Sequence, residues 1–251
     1  DPLDATTADR PPLTLDEPRR DLTGLTIGLP REYFPADLHA GVRAALDQTI
    51  AKVRELGATV REVSLPYTRF AVPAYYIVAP AEAAANLARF DGVRYGPRGG
   101  AASADLNQMY RDTRGRGFGP EVRRRILVGT YVLSAGYHDQ YYHRAQQVRG
   151  LIARDFDTVF ASGVDLLLTP TTPTPAFKAG EKMGDPVSMY LADIFVCPSS
   201  LSGHPALSLP VGRDQGLPIG AQLIAPMWQE ARMLSAASAI ERVTDAKREV
   251  R

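Results

Sequence analysis

Residues 25–66, LTIGLPREYFPADLHAGVRAALDQTIAKVRELGATVREVSLP, decide the fold. The short apolar run Leu25–Leu29 stops at Pro30 and predicts a strand. The next segment, Asp37 to Leu56, places Val42, Leu46, Ile50 and Val53 on one face at helical spacing, and Gly57 supplies a C-terminal stop. Thr59–Leu65 then predicts a second strand, ending at Pro66. A strand, a helix and a strand in that order build a parallel pair, because a parallel connection needs a crossover long enough to return to the same edge.

Outward from this unit the same reading continues. Residues 1–24 are polar, rich in Pro, Asp and Thr, and without period, which is the composition of a linker. The opening DPLDATTADRPP has no initiator Met, no basic region and no apolar stretch, so it reads as a linker entered partway rather than as a signal peptide. Residues 74–96 are Ala-rich and helix-prone, with an interruption or a first turn expected at Pro80. GPRGGAASA, residues 96–104, suits a surface loop. Glu121–Phe160 reads as one long helix, or two with a break near Gly136. Strand signals return at Asp165–Thr169, Ala206–Pro210 and Ile219–Ile224, with the loop TPTTPTPAF after the first, and a last helix is expected from Gln229 to Val243. The class is α/β with a mixed or parallel sheet flanked by helices.

The chain has 251 residues and a formal net charge of +1, which argues against a broad basic surface for nucleic acid while leaving a local patch open. The single cysteine, Cys197, excludes an internal disulfide and suits a reducing, cytoplasmic setting. No apolar run is long enough to cross a bilayer, so no membrane is implied. The residues hold little complete chemistry. His39, His138, His143 and His204 lack metal-ligand spacing, and no cysteine cluster joins them. His138 and His143 read as part of a half-exposed aromatic helix face. GRGFG, residues 115–119, reads as a flexible turn rather than a phosphate loop. Ser199 and Ser200, with His204 nearby in sequence, lack a base and oxyanion donors that sequence alone could assign. Asp155 with Asp157, and Asp185 with Asp193, do not specify an acid/base pair.

Three long blocks carry a resemblance. They are PAYYIVAPAEAAANLARFDGVRYG, GFGPEVRRRILVGTYVLSAGYHDQYYHRAQQVR, and DPVSMYLADIFVCPSSLSGHPALSLPVG followed by GLPIGAQLIAP. The third resembles amidase-signature enzymes in general. The first two resemble, more narrowly, the C-terminal half of the glutamine-hydrolysing A subunits of glutamyl-tRNA(Gln) amidotransferases. The resemblance implies a 1–24 linker and, over 25–251, the C-terminal half of an amidase-signature domain with a mixed sheet. It implies hydrolysis of glutamine's side-chain amide, with the ammonia passed to a partner that uses ATP to amidate Glu-tRNA(Gln), or in many organisms also Asp-tRNA(Asn). Expected partners are glutamine, subunits B and C, and tRNA through the complex. No cofactor is expected on this chain; ATP and Mg belong to the partner subunit.

The family's lysine, its cis-peptide serine and the nucleophilic serine of a GGSSGG-type segment lie in the half that precedes this sequence, and no GGSSGG occurs here. Removing that half is expected to leave unpaired strand edges, with contacts between copies or disorder near 97–104. Three substrate positions carry over. Arg125, the last Arg of VRRRI, matches the arginine that holds the α-carboxylate of glutamine. Asp193, in YLADIF, matches the aspartate that faces the α-ammonium, and Tyr75 matches a pocket-lining tyrosine. Read without the family, each has an ordinary alternative: a solvated helix charge, a helix-surface acid and a core aromatic. His204 stands where a Leu is usual, and Ser199–Ser200 where Ala-Asn is usual. Two rivals remain open, another amidase-signature hydrolase of free amides and a non-catalytic binding module.

Overall fold

A computed structural model describes residues 1–15, 17–98, 105–182 and 184–244. The chain divides into two compact units, one made of 1–66 with 155–251 and the other of 67–154. Each is described by itself.

The first unit is built on a five-stranded mixed sheet in the order β2-β1-β3-β5-β4. β1 (Thr26–Pro30) pairs in parallel with β2 (Thr59–Val63), Thr26 opposite Thr59, and with β3 (Leu166–Pro170) on its other edge. The crossover between β1 and β2 is α1 (Ala40–Glu55), which buries the expected stripe Val42, Leu46, Ile50 and Val53. It starts three residues later than Asp37 because His39 caps it: the ring Nδ1 accepts the Gly41 N–H at 3.1 Å, satisfying one of the amide donors that a helix start leaves over. β3 is buried at every residue, which fits its LLLTP sequence between two partner strands. The parallel order then ends. β5 (Leu217–Ile224) runs antiparallel to both β3 and β4 (Ala206–Asp214). β4 outruns the expected Pro210 because it forms a hairpin, turned at Gln215 and Gly216 with φ of 48° and 82°. Pro210 sits on the outermost strand at a register irregularity, where a missing N–H is tolerated. α8 (Glu230–Val243) buries Met233, Ala236, Ala237, Ala239 and Ile240. Residues 1–25 hold no helix or strand among the described residues.

The second unit is helical. α2 (Ala71–Leu87) runs straight through Pro80, against the expected interruption. Proline there forfeits one intrahelical bond to the carbonyl of Tyr76, yet Pro80 is buried and the helix is held by packing on α4 (Pro120–Val132). Gly129 of α4 makes the contact possible. A methyl group on it would collide with the Pro80 carbonyl, its carbon only 2.6 Å away, and would lie 2.7 Å from the Ala84 Cβ. The GRGFG turn is also corrected. Gly115 and Gly117 fall inside α3 (Leu106–Gly117), and Gly119 is the N-cap residue of α4 with Pro120 in its first turn. The break expected at Gly136 is present, with φ of 85°. Between it and α5 (Arg144–Ala161) the sequence makes a π-helical turn, His138–His143, which no periodicity announced. The loop expected over 96–104 lies, from 99 onward, outside the described residues, as does most of the 97–104 segment expected to be disordered.

The α2–α4 contact predicts an opposed pair of substitutions. Gly129→Ala should lower stability by about 1–3 kcal/mol, since backbone cannot step aside as a side chain can. Gly150→Ala, within α5 and with nothing within 4 Å of the added methyl, should raise it by about 0.5–1 kcal/mol. Chemical denaturation of both variants decides it; equal effects of one sign would remove the steric account.

Candidate functional site

Arg125 lies on α4, one turn before Gly129, and Tyr75 lies on α2, five residues before Pro80. The close helix packing brings them together. The Arg125 guanidinium donates through Nη1 to the Tyr75 hydroxyl at 3.3 Å and through Nε to Glu121 Oε1 at 3.0 Å. Glu121 is shared, its other oxygen accepting from Arg124 Nη1 at 3.2 Å. Tyr75 is held from behind by Tyr76, ring edge to ring face with centroids 4.9 Å apart. The hydrogen bond to Tyr75, then that to Glu121, push the guanidinium's pKa upward, so Arg125 stays charged. Glu121 and Arg125 are roughly half and one third exposed, so their ion pair contributes under about 1 kcal/mol to stability. Its effect is geometric: a fork with Nε and one Nη1–H engaged still has three N–H donors, one on Nη1 and two on Nη2, and two of these suffice for the pair of bonds that a planar carboxylate accepts.

Asp193 belongs to the first unit. It is exposed on the turn that follows α6 (Pro186–Leu191) and leads into α7 (Cys197–Ser202). The turn is fixed by backbone bonds from Val196 and Cys197 N–H to the Asp193 carbonyl at 3.1 and 3.0 Å. Below it Gln222, buried in β5, donates from one amide nitrogen to the Phe195 carbonyl at 3.0 Å and the Thr169 hydroxyl at 3.1 Å. Tyr33 stacks on Phe195 with ring centroids 5.4 Å apart. Its hydroxyl is the one buried side-chain polar atom without a partner among the described residues, and burial drives its pKa well up. The Asp193 carboxylate makes no ion pair among the described residues, and stands near enough to Cys197 to add to the burial that raises that thiol to about 11. Cys197 is therefore a protonated core residue and no nucleophile at neutral pH.

The serine candidates resolve as structural. Ser199 and Ser200 both donate to the Val196 carbonyl, at 3.0 and 3.4 Å, the back-bonding of helix serines. His204 serves neither. Its Nδ1 lies 3.0 Å from the Ser202 hydroxyl, its Nε2 3.4 Å from Asp157, and its ring stacks on Phe156 at 5.1 Å and lies tilted against Phe160 at 5.3 Å. His138 pairs with Asp139 at 3.0 Å on the half-exposed π-helical turn. No three His, Cys, Asp or Glu side chains among the described residues gather to hold a metal ion, and no helix among them is long and apolar enough to cross a membrane. Sequence reasoning missed Glu121 and Gln222. The first was findable as a carboxylate four residues ahead of an arginine on one helix; the second hides as a polar residue in an apolar strand.

The chain matches the family model described as Amidase over residues 1–234. It is 54% identical over 249 residues to the A subunit of the glutamyl-tRNA(Gln) amidotransferase of Moorella thermoacetica, covering 99% of this chain and 50% of that one. To the same protein of Chloroflexus aggregans it is 56% identical over 246 residues, 98% of this chain and 50% of the relative. The chain thus spans about half the length of the curated relatives it matches. The crystal structure of the A subunit from Thermotoga maritima superposes with a TM-score of 0.76 at 34% identity, covering 99% of this chain and 49% of that one. The peptide amidase of Stenotrophomonas maltophilia, at 24% identity and a TM-score of 0.63 over 90% of this chain and 44% of its own, shares the fold.

Burial lowers the pKa of His204 below the ordinary histidine value, with Asp157 opposing. The unfolded chain therefore binds this proton more readily than the folded one. The contribution is intact above about pH 6.5 and lost as pH falls from there through the lowered folded-state value. His204→Leu keeps the apolar contacts and should shrink the drop in Tm between pH 7.5 and 5.5. An unchanged drop would show that His204 does not titrate with unfolding.

Proposed function

The chain belongs to the amidase family, and on that premise we propose that it is the substrate-binding part of the subunit that hydrolyses glutamine in a tRNA-dependent amidotransferase. The ammonia released converts Glu-tRNA(Gln) to Gln-tRNA(Gln). The observation that carries this reading is identity above half, across nearly the whole chain, to the A subunits of two different bacteria. The pairing of Arg125 with Tyr75 supports it.

Glutamine offers two opposite charges on one carbon and a neutral amide several bonds away. In this proposal Arg125 takes the α-carboxylate through its unengaged N–H groups, while Glu121 and Tyr75 fix the plane of the guanidinium. Asp193 takes the α-ammonium. Clamping both charges sets where the amide carbon lies, and orientation of that kind is where such a site lowers a barrier. The nucleophilic serine, its serine partner and the lysine come from the segment that precedes these residues in the family. Subunits B and C complete the complex, with ATP and Mg on the partner, tRNA reached through the complex, and the work of protein biosynthesis done in the cytoplasm.

Two experiments test this. In the full-length complex, Arg125→Lys, Asp193→Ala and Asp193→Glu should lower kcat/KM for glutamine, Asp193→Glu least. The first two should cost roughly 30- to 1,000-fold, about 2–4 kcal/mol. Lysine fails because an ammonium lacks the planar fork. Hydrolysis of a small aliphatic amide without α-groups should hardly change, and equal losses on both substrates would make these residues supports of the fold. The 251-residue chain by itself, lacking GGSSGG, should show no glutaminase activity. Steady glutamine hydrolysis by a preparation free of host amidases would contradict that.

A further inference from the structure

The Asp193 carboxylate is exposed and without an ion pair among the described residues, so its direction is set by the backbone that carries it. That backbone is the turn 192–196, between α6 and α7, two helices of six residues each. Helices this short do not hold themselves together in water, so the turn keeps its shape only through what it packs against. Two attachments meet at Phe195, two residues and at most about 7 Å of chain from Asp193. The Phe195 ring stacks on Tyr33 with centroids 5.4 Å apart. The Phe195 carbonyl accepts from Nε2 of Gln222 at 3.0 Å. Stacked rings resist separation but slide easily, whereas a hydrogen bond to the carbonyl fixes both distance and direction.

Gln222 is itself firmly rooted. β5 is an interior strand, with β3 on one side and β4 on the other, and Gln222 stands opposite Thr169 and Ser208. Its Nε2 also donates to the Thr169 hydroxyl at 3.1 Å, which engages both N–H groups and fixes the rotation of the amide. The side chain is buried, and its neighbours along the strand are Ile219, Gly220, Ala221, Leu223 and Ile224. An amide in such surroundings is unfavourable unless bonded, and a leucine would fill the same place with no polar group to satisfy. What a leucine could not do is donate to the Phe195 carbonyl.

We propose that Gln222 is a positioning residue for glutamine hydrolysis: through the Phe195 carbonyl it sets where the Asp193 carboxylate meets the substrate ammonium. The inference rests on the reading above, in which Asp193 receives that ammonium. Gln222 itself touches no substrate, since both its N–H groups are engaged inside the unit. Its burial also makes the arrangement a property of these residues alone, because nothing outside reaches the amide without opening the core. The effect belongs to binding. Asp193 holds the ammonium alike before and during the reaction, while Arg125 still takes the carboxylate. A displaced turn therefore raises KM and leaves kcat nearly unchanged.

The test is a double-mutant cycle in the full-length complex. Gln222→Met keeps the volume and removes the donor; Gln222→Asn keeps the amide but is too short to reach, and stands in if the first does not assemble. Thr49→Val on α1, where a buried hydroxyl donates to the Ala45 carbonyl at 2.7 Å, is the control for losing a buried hydrogen bond elsewhere. Gln222→Met should raise KM for glutamine about 10-fold, with kcat and the hydrolysis of a small aliphatic amide nearly unchanged, and Thr49→Val should do neither. Added to Asp193→Ala, the same substitution should change KM by less than about 2-fold, because the group it positions is gone. Additive losses overturn the proposal, as do equal losses on both substrates or an unchanged KM. Failure of every Gln222 variant to assemble overturns it too, since Gln222 would then support the fold. Wild type that hydrolyses glutamine, with Asp193→Ala no worse, sinks the Asp193 contact and this inference with it. Selective loss with Asp193→Ala but none with Gln222→Met sinks this inference alone.

Discussion

The absence of one side chain governs the helical unit. Gly129 lets α4 lie against the Pro80 carbonyl of α2, and no other residue could occupy that position without parting the helices. The same contact fixes how the two helices align. One turn back along α4 is Arg125, a little over one turn back along α2 is Tyr75, and at this spacing the guanidinium reaches the phenol at 3.3 Å. A wider or slipped pair would leave Arg125 an ordinary surface charge. α2 tolerates a mid-helix proline for the same reason: the stability lost with one hydrogen bond is offset by packing an alanine-rich face closely.

The two halves of the proposed clamp are supported in different ways. Arg125 is oriented by side chains, with Glu121 and Tyr75 each occupying one donor and the remainder left for a ligand. Asp193 is oriented by backbone, on a turn tied to the sheet through the Gln222 amide. Gln222 is buried, and a buried amide must be satisfied or it costs more than it gives. Its bonds to Phe195 and Thr169 therefore act as a fixed strut. The bidentate contact proposed for Arg125 would thus rest on side chains, and the ammonium contact proposed for Asp193 on a backbone turn.

Much of this was legible in the sequence. The parallel β1–α1–β2 unit follows from one apolar stripe and three prolines or glycines, and appears within a few residues of the expected bounds. Boundaries moved where a side chain outside the pattern intervened, as His39 did in capping α1. The antiparallel hairpin was hidden because its strands are short runs beside proline and glycine, and only pairing says that β4 continues to Asp214. Pro80 misled because local propensity weighs the lost hydrogen bond and not the helix that compensates for it. The π-helical turn at His138–His143 has no periodic signature at all. For the site, the family resemblance pointed to Arg125, Asp193 and Tyr75, while composition alone favoured ordinary roles for all three.

The central claim is that the fork of Arg125, set by Glu121 and Tyr75, receives the α-carboxylate of glutamine. The most direct measurement is a crystal structure of the full-length protein with glutamine bound and the nucleophilic serine substituted so that the ligand persists. The account predicts carboxylate oxygens at about 2.7–2.9 Å from the terminal nitrogens of Arg125, with the ammonium against Asp193. A carboxylate bound elsewhere, with Arg125 still facing only Glu121, Tyr75 and solvent, would contradict it.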